Sequence, residues 1–169
     1  MAVSFRAREG EGGEGVIVST EYETPQDFFE VLNNEFQFSM DVAATEANAK
    51  CSRIFDKEID GLKQTWRGNI WLNPPYDKSI GLWIRKAYQT AQQGHLVVAL
   101  IQGRSTDTKM WHDYVMKASE IRFIKDRLHF KLNGKSARAN ISSVVVVFTP
   151  YCKGPPRVSA IDTKGNRIG

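Results

Sequence analysis

The stretch His95–Ile101, HLVVALI, restricts this chain more than any other seven residues in it. It is nearly all apolar and does not alternate, so it cannot be a strand with one wet face. It reads as a central strand covered on both sides. The neighbouring sequence supplies the covers. Ile80, Trp83, Ile84, Ala87, Tyr88 and Ala91 recur at helical spacing before it, and Met110, Trp111, Tyr114, Val115 and Ala118 do so after it. Further strands are predicted at Phe36–Val42, Arg67–Leu72, Ile121–Ile124 and Ile141–Phe148, and RLHFKLNGK alternates into the reversal signal Asn133–Gly134. Strands and helices that alternate and then give way to strands predict a three-layer α/β domain. Its sheet is mostly parallel, with an antiparallel hairpin or edge near the C-terminus.

Helix starts are predicted where Thr24 caps and Pro25 enters the first turn, and where Asp107 precedes the Met110 face. A short helix is predicted near residues 46–53, and Asp60–Gly61 reads as a turn. The 169 residues suit one domain with a genuine core. Residues 1–18, rich in glycine and glutamate, read as a flexible N-terminal arm. Residues 19–150 are the folded domain, and 151–169 a basic tail or surface wrap.

Composition excludes several classes. Cys51 and Cys152 are the only cysteines, too few for a disulfide scaffold, and His95, His112 and His129 lack zinc-site spacing, so no metal is expected. The longest apolar runs are too short for a bilayer, and the acidic, glycine-rich start does not resemble a signal peptide. A cytoplasmic protein is therefore expected; monomer and homodimer both stay open. Charge is unevenly placed: residues 1–100 carry 10 basic and 14 acidic side chains, and residues 101–138 carry 9 and 4. The excess in the second half suits a polyanion, with Arg104, Lys109, Arg127, Lys131, Lys135 and Arg138 as candidate phosphate contacts. A solubilising face is the competing reading.

The chemistry concentrates at Asn73–Pro74–Pro75–Tyr76, which ends a predicted strand. Loops at the carboxyl ends of such strands are where open α/β sheets bind ligands. Neither proline nitrogen donates, so carbonyls dominate the turn. The Asn73 side-chain oxygen and the Pro74 carbonyl suit an NH₂ group that offers two hydrogens, and Tyr76 suits stacking on the ring bearing it. Such acceptors favour a pyramidal amine and stabilise the positive charge that grows as nitrogen attacks carbon. The plain alternative is a Pro-Pro turn that merely stops a strand.

The tetrapeptide resembles motif IV of S-adenosylmethionine-dependent amino-methyltransferases. With YETPQDFF, FQFSMDVAATEANAKC, DGLKQTW, RSTDTKMWH and IRFIKDRLHF around it, the chain is similar to the small phage-type DNA N6-adenine methyltransferases, called Dam-like. That resemblance implies a Rossmann-like methyltransferase sheet, S-adenosylmethionine as methyl donor and DNA as partner. It implies a catalytic role for Asn73, Pro74, Pro75 and Tyr76. Thr24, Pro25, Phe28, Asp41, Ala43 and Asp60 fall on donor-binding positions, Asp56 and Glu58 being other candidate acids for the ribose. Thr106 and Asp107 match a further segment, and Arg127 and Phe130 the rim of the target pocket. The glycine loop that usually follows the first strand is replaced by DVAATEAN. Methylation of RNA or of a protein glutamine, and a non-catalytic nucleic-acid-binding module, remain as alternatives.

Overall fold

The structure, a computed structural model, describes residues 23–132 and 135–169; the predicted arm at 1–18 and the turn at Asn133–Gly134 lie outside them. Helix α1 (Gln26–Phe36) leads to strand β1 (Met40–Asp41), followed by β2 (Asn69–Leu72), α2 (Ile80–Gln92), β3 (Leu96–Gln102) and α3 (Lys109–Asp113). Then come β4 (Glu120–Ile124), the hairpin β5 (His129–Leu132) and β6 (Lys135–Arg138), β7 (Ser143–Phe148) and β8 (Arg157–Ile161). Six strands form one sheet in the order β1-β2-β3-β7-β4-β8. All neighbours in it are parallel except those of β7, which runs antiparallel between β3 and β4. The expected three layers are present. One face of the sheet packs on Trp83, Ile84 and Ala87 of α2 and Trp111 of α3. The other packs on Phe28, Phe29 and Leu32 of α1, with Leu128 and Phe130 beside the hairpin.

β3 explains its own sequence. Val97, Ala99 and Ile101 enter the first core, and Val98 and Leu100 enter the second, all essentially without exposure. A strand flanked on both edges and covered on both faces has no position left for a polar side chain until Gln102 at its end. Each such aliphatic side chain contributes roughly 1.5–3 kcal/mol over leaving it in water. Among the described residues no helix is long and apolar enough to cross a membrane.

Several expectations are corrected. The strand predicted from Phe36 is only Met40–Asp41, because side chains satisfy the backbone ahead of it. Asn69 Nδ2 donates to the Phe36 and Gln37 carbonyls, and Phe38 N–H donates to Asn33 Oδ1. Gln37 takes the left-handed conformation that ends α1, and Phe36 and Phe38 fold back against each other instead of alternating. The helix near 46–53 does not form either. Side-chain acceptors take its place, the buried Asp41 Oδ2 receiving the Lys50 N–H and Asn48 Oδ1 receiving the Thr45 N–H just ahead of it. Thr24 does not cap α1. Pro25 occupies the cap position, and the Thr24 hydroxyl is used elsewhere. Asp107 likewise stays exposed ahead of α3, with Thr108 at the cap position. Finally, the stretch read as a tail or wrap contributes β8, which pairs in parallel with β4 and forms the edge of the sheet.

A charged clamp fixes that edge to α1. Arg122, on β4, is 1% exposed and pairs with both carboxylate oxygens of Glu35 at 2.6 Å and with Glu120 at 2.9 Å. Arg157 and Arg167 close on Glu120 from the C-terminal side. Part of the basic excess in the second half of the sequence is thus neutralised inside the fold.

Candidate active site

Asn73–Pro74–Pro75–Tyr76 leaves the carboxyl end of β2, between β1 and β3. Asn73 Nδ2 donates to Thr24 Oγ1 at 3.2 Å, which ties the turn to the segment entering α1. The Tyr76 hydroxyl lies 3.1 Å from Asn73 Oδ1 and 3.2 Å from the Leu100 carbonyl, able to donate to either. Tyr76 is buried among Phe28, Trp71 and Leu100, and burial pushes its phenol well above the usual range. In this conformation its ring is part of the core and not an open platform.

Beside the turn is a cleft of about 280 Å³. Ala43, Ala44 and Thr45 from the loop after β1 form one wall, and Phe55 and Trp83 add apolar surface. Asp56, Asp60 and Asp77 bring carboxylates to it, and Pro75 closes it on the side of the turn. Three acids against one lysine, Lys57, favour a cationic ligand with hydroxyl groups. A second cleft of about 150 Å³ lies on the other side of the turn, lined by Tyr76, Lys78, Gln102, Arg104 and Ser105. Asp77 lines both. One rigid turn therefore stands between two adjoining binding spaces.

Asp41 does not line either cleft; it builds the wall of the larger one. Its carboxylate is buried and accepts the N–H groups of Ala43 and Lys50, folding residues 42–50 back over the end of β1. The Lys50 ammonium is held by Glu23 and Gln26, both at 3.0 Å. Burial, opposed by those two N–H groups, pushes the Asp41 carboxyl up to about 6. The native state therefore holds more protons than the unfolded chain between about pH 4 and pH 6, and this group makes stability fall as pH rises through that window. At neutral pH the deficit is on the order of 2–3 kcal/mol. Asp41→Asn is expected to gain on the wild type in thermal midpoint from pH 4 to pH 6 and to hold a constant lead above it. Parallel curves across that range would remove Asp41 as the source.

Asp60 and Gly61 form the opposite wall. Asp60, at positive φ, accepts the Leu62 N–H and pairs with Lys63, while still facing the larger cleft. Gly61 passes so near the end of β1 that a Cβ there would stand 2.2 Å from the Val42 carbonyl, so no larger residue fits. Trp66 Nε1 and Lys86 Nζ anchor this turn through the Gly61 and Leu62 carbonyls. Asp56 lines the cleft as well, its Oδ1 held by the Glu58 and Ile59 N–H groups, whereas Glu58 is exposed outside it.

Of the other expected residues, Pro25 and Phe28 sit at the start of α1. Phe28 is fully buried in the core and does not reach the larger cleft. Phe130 is 2% exposed and packs in the same core as Tyr76, so it anchors the β5–β6 hairpin instead of facing outward. Lys131, Lys135 and Arg138 are exposed on that hairpin, and Lys109 is exposed on α3. Arg104 lines the smaller cleft, and Arg127 is turned onto the Asn140 carbonyl. Thr106 and Asp107 lie exposed in the loop after β3. Phe55, Asp77 and Gln102 were not picked out from sequence. Gln102 alone left a signal there, as the polar end of an apolar strand.

A family model described as DNA N-6-adenine-methyltransferase (Dam) matches residues 17–167. A DNA N-6-adenine-methyltransferase of Escherichia phage T1 is 26% identical over 116 residues, which are 67% of this chain and 48% of that protein. One of Haemophilus phage HP1 (strain HP1c1) is 29% identical over 119 residues, 68% of each. The matched region thus spans about half the length of the first relative and two thirds of the second.

Proposed function

The chain belongs to the DNA N-6-adenine-methyltransferase (Dam) family, and from that premise we propose that it transfers a methyl group from S-adenosylmethionine to the N6 amine of adenine in DNA. The observation that carries this reading is the position of the N-P-P-Y turn between two adjoining clefts, with Pro75 facing the larger and Tyr76 the smaller. The larger cleft suits the donor: Phe55, Trp83 and the alanines accept an adenosyl ring, and Asp56 and Asp60 accept ribose hydroxyls or face its cationic end. When bound, S-adenosylmethionine supplies an electrophilic methyl group on a sulfonium.

The protein's own part is positioning and electrostatics. Asn73 Oδ1 and the Pro74 carbonyl accept the two hydrogens of the exocyclic amine, leaving its lone pair directed at the carbon. As nitrogen becomes cationic, the same two oxygens stabilise it more strongly than they stabilise the neutral amine, so the gain falls on the transition state. A proton then leaves the nitrogen after attack, and no strong base is needed beforehand. A base in duplex DNA is stacked and paired, so it must be extruded to reach the turn, at a cost of a few kcal/mol offset by contacts in the pocket. Lys131, Lys135 and Arg138 project from the hairpin whose Phe130 packs in the core of Tyr76, and would hold phosphates beside the site. The proposed place of action is the cytoplasm, where DNA and donor are both at hand.

DNA incubated with the protein and S-adenosylmethionine, digested to nucleosides and analysed by mass spectrometry, is expected to contain N6-methyladenine. Label from tritiated donor that appears in RNA or protein but not in DNA would overturn the choice of substrate. Calorimetry with no heat for either S-adenosylmethionine or S-adenosylhomocysteine would overturn the enzyme.

A further inference from the structure

Gln102 has no structural reason to be glutamine. It ends β3, two residues and about 6.7 Å beyond Leu100, and alternation puts it on the same face of the sheet as Leu100 and Val98. Its cross-strand neighbour is the buried Ser143 of β7. It is 9% exposed and lines the smaller cleft together with Tyr76, and its Nε2 has no hydrogen-bond partner among the described residues. An amide donor buried without a partner costs stability, and an apolar side chain of the same length would avoid that cost. A donor left open beside the residue that contacts Asn73 is the expected state of a group whose partner arrives with the substrate.

We propose that Gln102 reads the target base by donating its Nε2 hydrogen to the ring nitrogen next to the exocyclic amine; this rests on the methyl-transfer reading above. Once Asn73 and Pro74 take the two amine hydrogens, the acceptor on the base nearest that amine is a ring nitrogen, N1 on one side and N7 on the other, each needing a donor. A donor on N1 opposes guanine, which carries a carbonyl and an N–H where adenine carries the amine and N1, whereas a donor on N7 opposes cytosine, which has a C–H on that side of its amine. The Gln102 donor thus adds a ring-nitrogen contact to a pocket that otherwise reads only the amine.

The test compares the full chain with Gln102→Met and Gln102→Ala on three duplexes, carrying adenine, 1-deazaadenine or 7-deazaadenine at the mapped target. Gln102→Met is expected to melt at or above the wild-type temperature while kcat/KM on adenine falls about 10- to 100-fold. On the deaza base that lacks the recognised acceptor, wild type and variant should be nearly equal, and which base this is identifies the edge being read. An equal penalty on all three duplexes, no penalty at all, or a Gln102→Met protein that fails to fold would overturn the assignment. A wild type that methylates DNA adenine and shows no Gln102 effect removes this inference alone. A wild type that makes no N6-methyladenine removes the inference together with the reading beneath it.

Discussion

Replacing Asn73 with alanine is expected to lower kcat on DNA by about 10²- to 10³-fold, the range found when one preorganised hydrogen-bonding group is removed from a developing charge. Binding of S-adenosylmethionine, measured by calorimetry, should stay close to wild type, because Asn73 does not line the larger cleft. The side chain also has a resting role. Its amide donates to Thr24 and its carbonyl faces the Tyr76 hydroxyl, so the variant loses two contacts that order the turn. Those are contacts between neutral groups, worth about 1 kcal/mol each, and they affect the melting temperature far less than the rate. The separation matters for interpretation. A loss in rate with donor affinity retained places Asn73 on the reacting amine, whereas equal losses in both would make it a scaffold residue. Wild-type turnover in Asn73→Ala would remove it from the chemistry, and with it the argument that the turn activates the amine.

Arg122→Met carries the largest expected effect on stability. The guanidinium is buried, bonded to Glu35 and Glu120, and stacked 4.9 Å over the ring of Phe36. Removing one member of a buried ion pair typically costs about 3–5 kcal/mol, because the remaining charge keeps its desolvation and loses its partner. Here Glu120 is the one left behind. Burial opposes its ionisation, but hydrogen bonds from Arg167, Arg122 and Ser159 outweigh that and hold its carboxyl at about 2. In the wild type this stabilisation is complete above the ordinary glutamate range and is lost as pH falls toward 2. Arg167 still reaches Glu120 in the variant, which places the cost near the lower end, about 3 kcal/mol or about 6–12 °C in thermal midpoint. Adding Glu120→Gln should recover a good part of that loss at pH 7, since the variant then buries no unpaired carboxylate. If the double variant melts no higher than the single one, the clamp is not held by charge.

The two clefts beside the turn differ in how far they could be read in advance. Ala43 and Asp60 were expected beside the donor and do line the larger cleft, but Asp41, expected with them, shapes the wall from behind. An acidic residue at a strand end looks the same in sequence whether it faces a ligand or folds its own loop. Phe130 misled in a similar way. It sits in a basic, alternating stretch that reads as surface, and it is buried because the hairpin turns it into the core that Tyr76 and α1 share. The edge strand β8 left almost no trace: in RVSAI only Ile161 is fully buried, too little apolar alternation to set it apart from a tail.

By itself the sequence determined the layers, the covered core strand and the turn that ends β2, because those depend on local rules: apolar runs must be covered, helical spacing makes one face, and paired prolines stop a ladder. Tertiary structure alone decided where β7 and β8 join the sheet, which acids face the cleft and which brace it, and that Gln102 ends beside Tyr76. Those outcomes depend on contacts between residues far apart in the chain, where a side chain's neighbours, and not its own type, set its role.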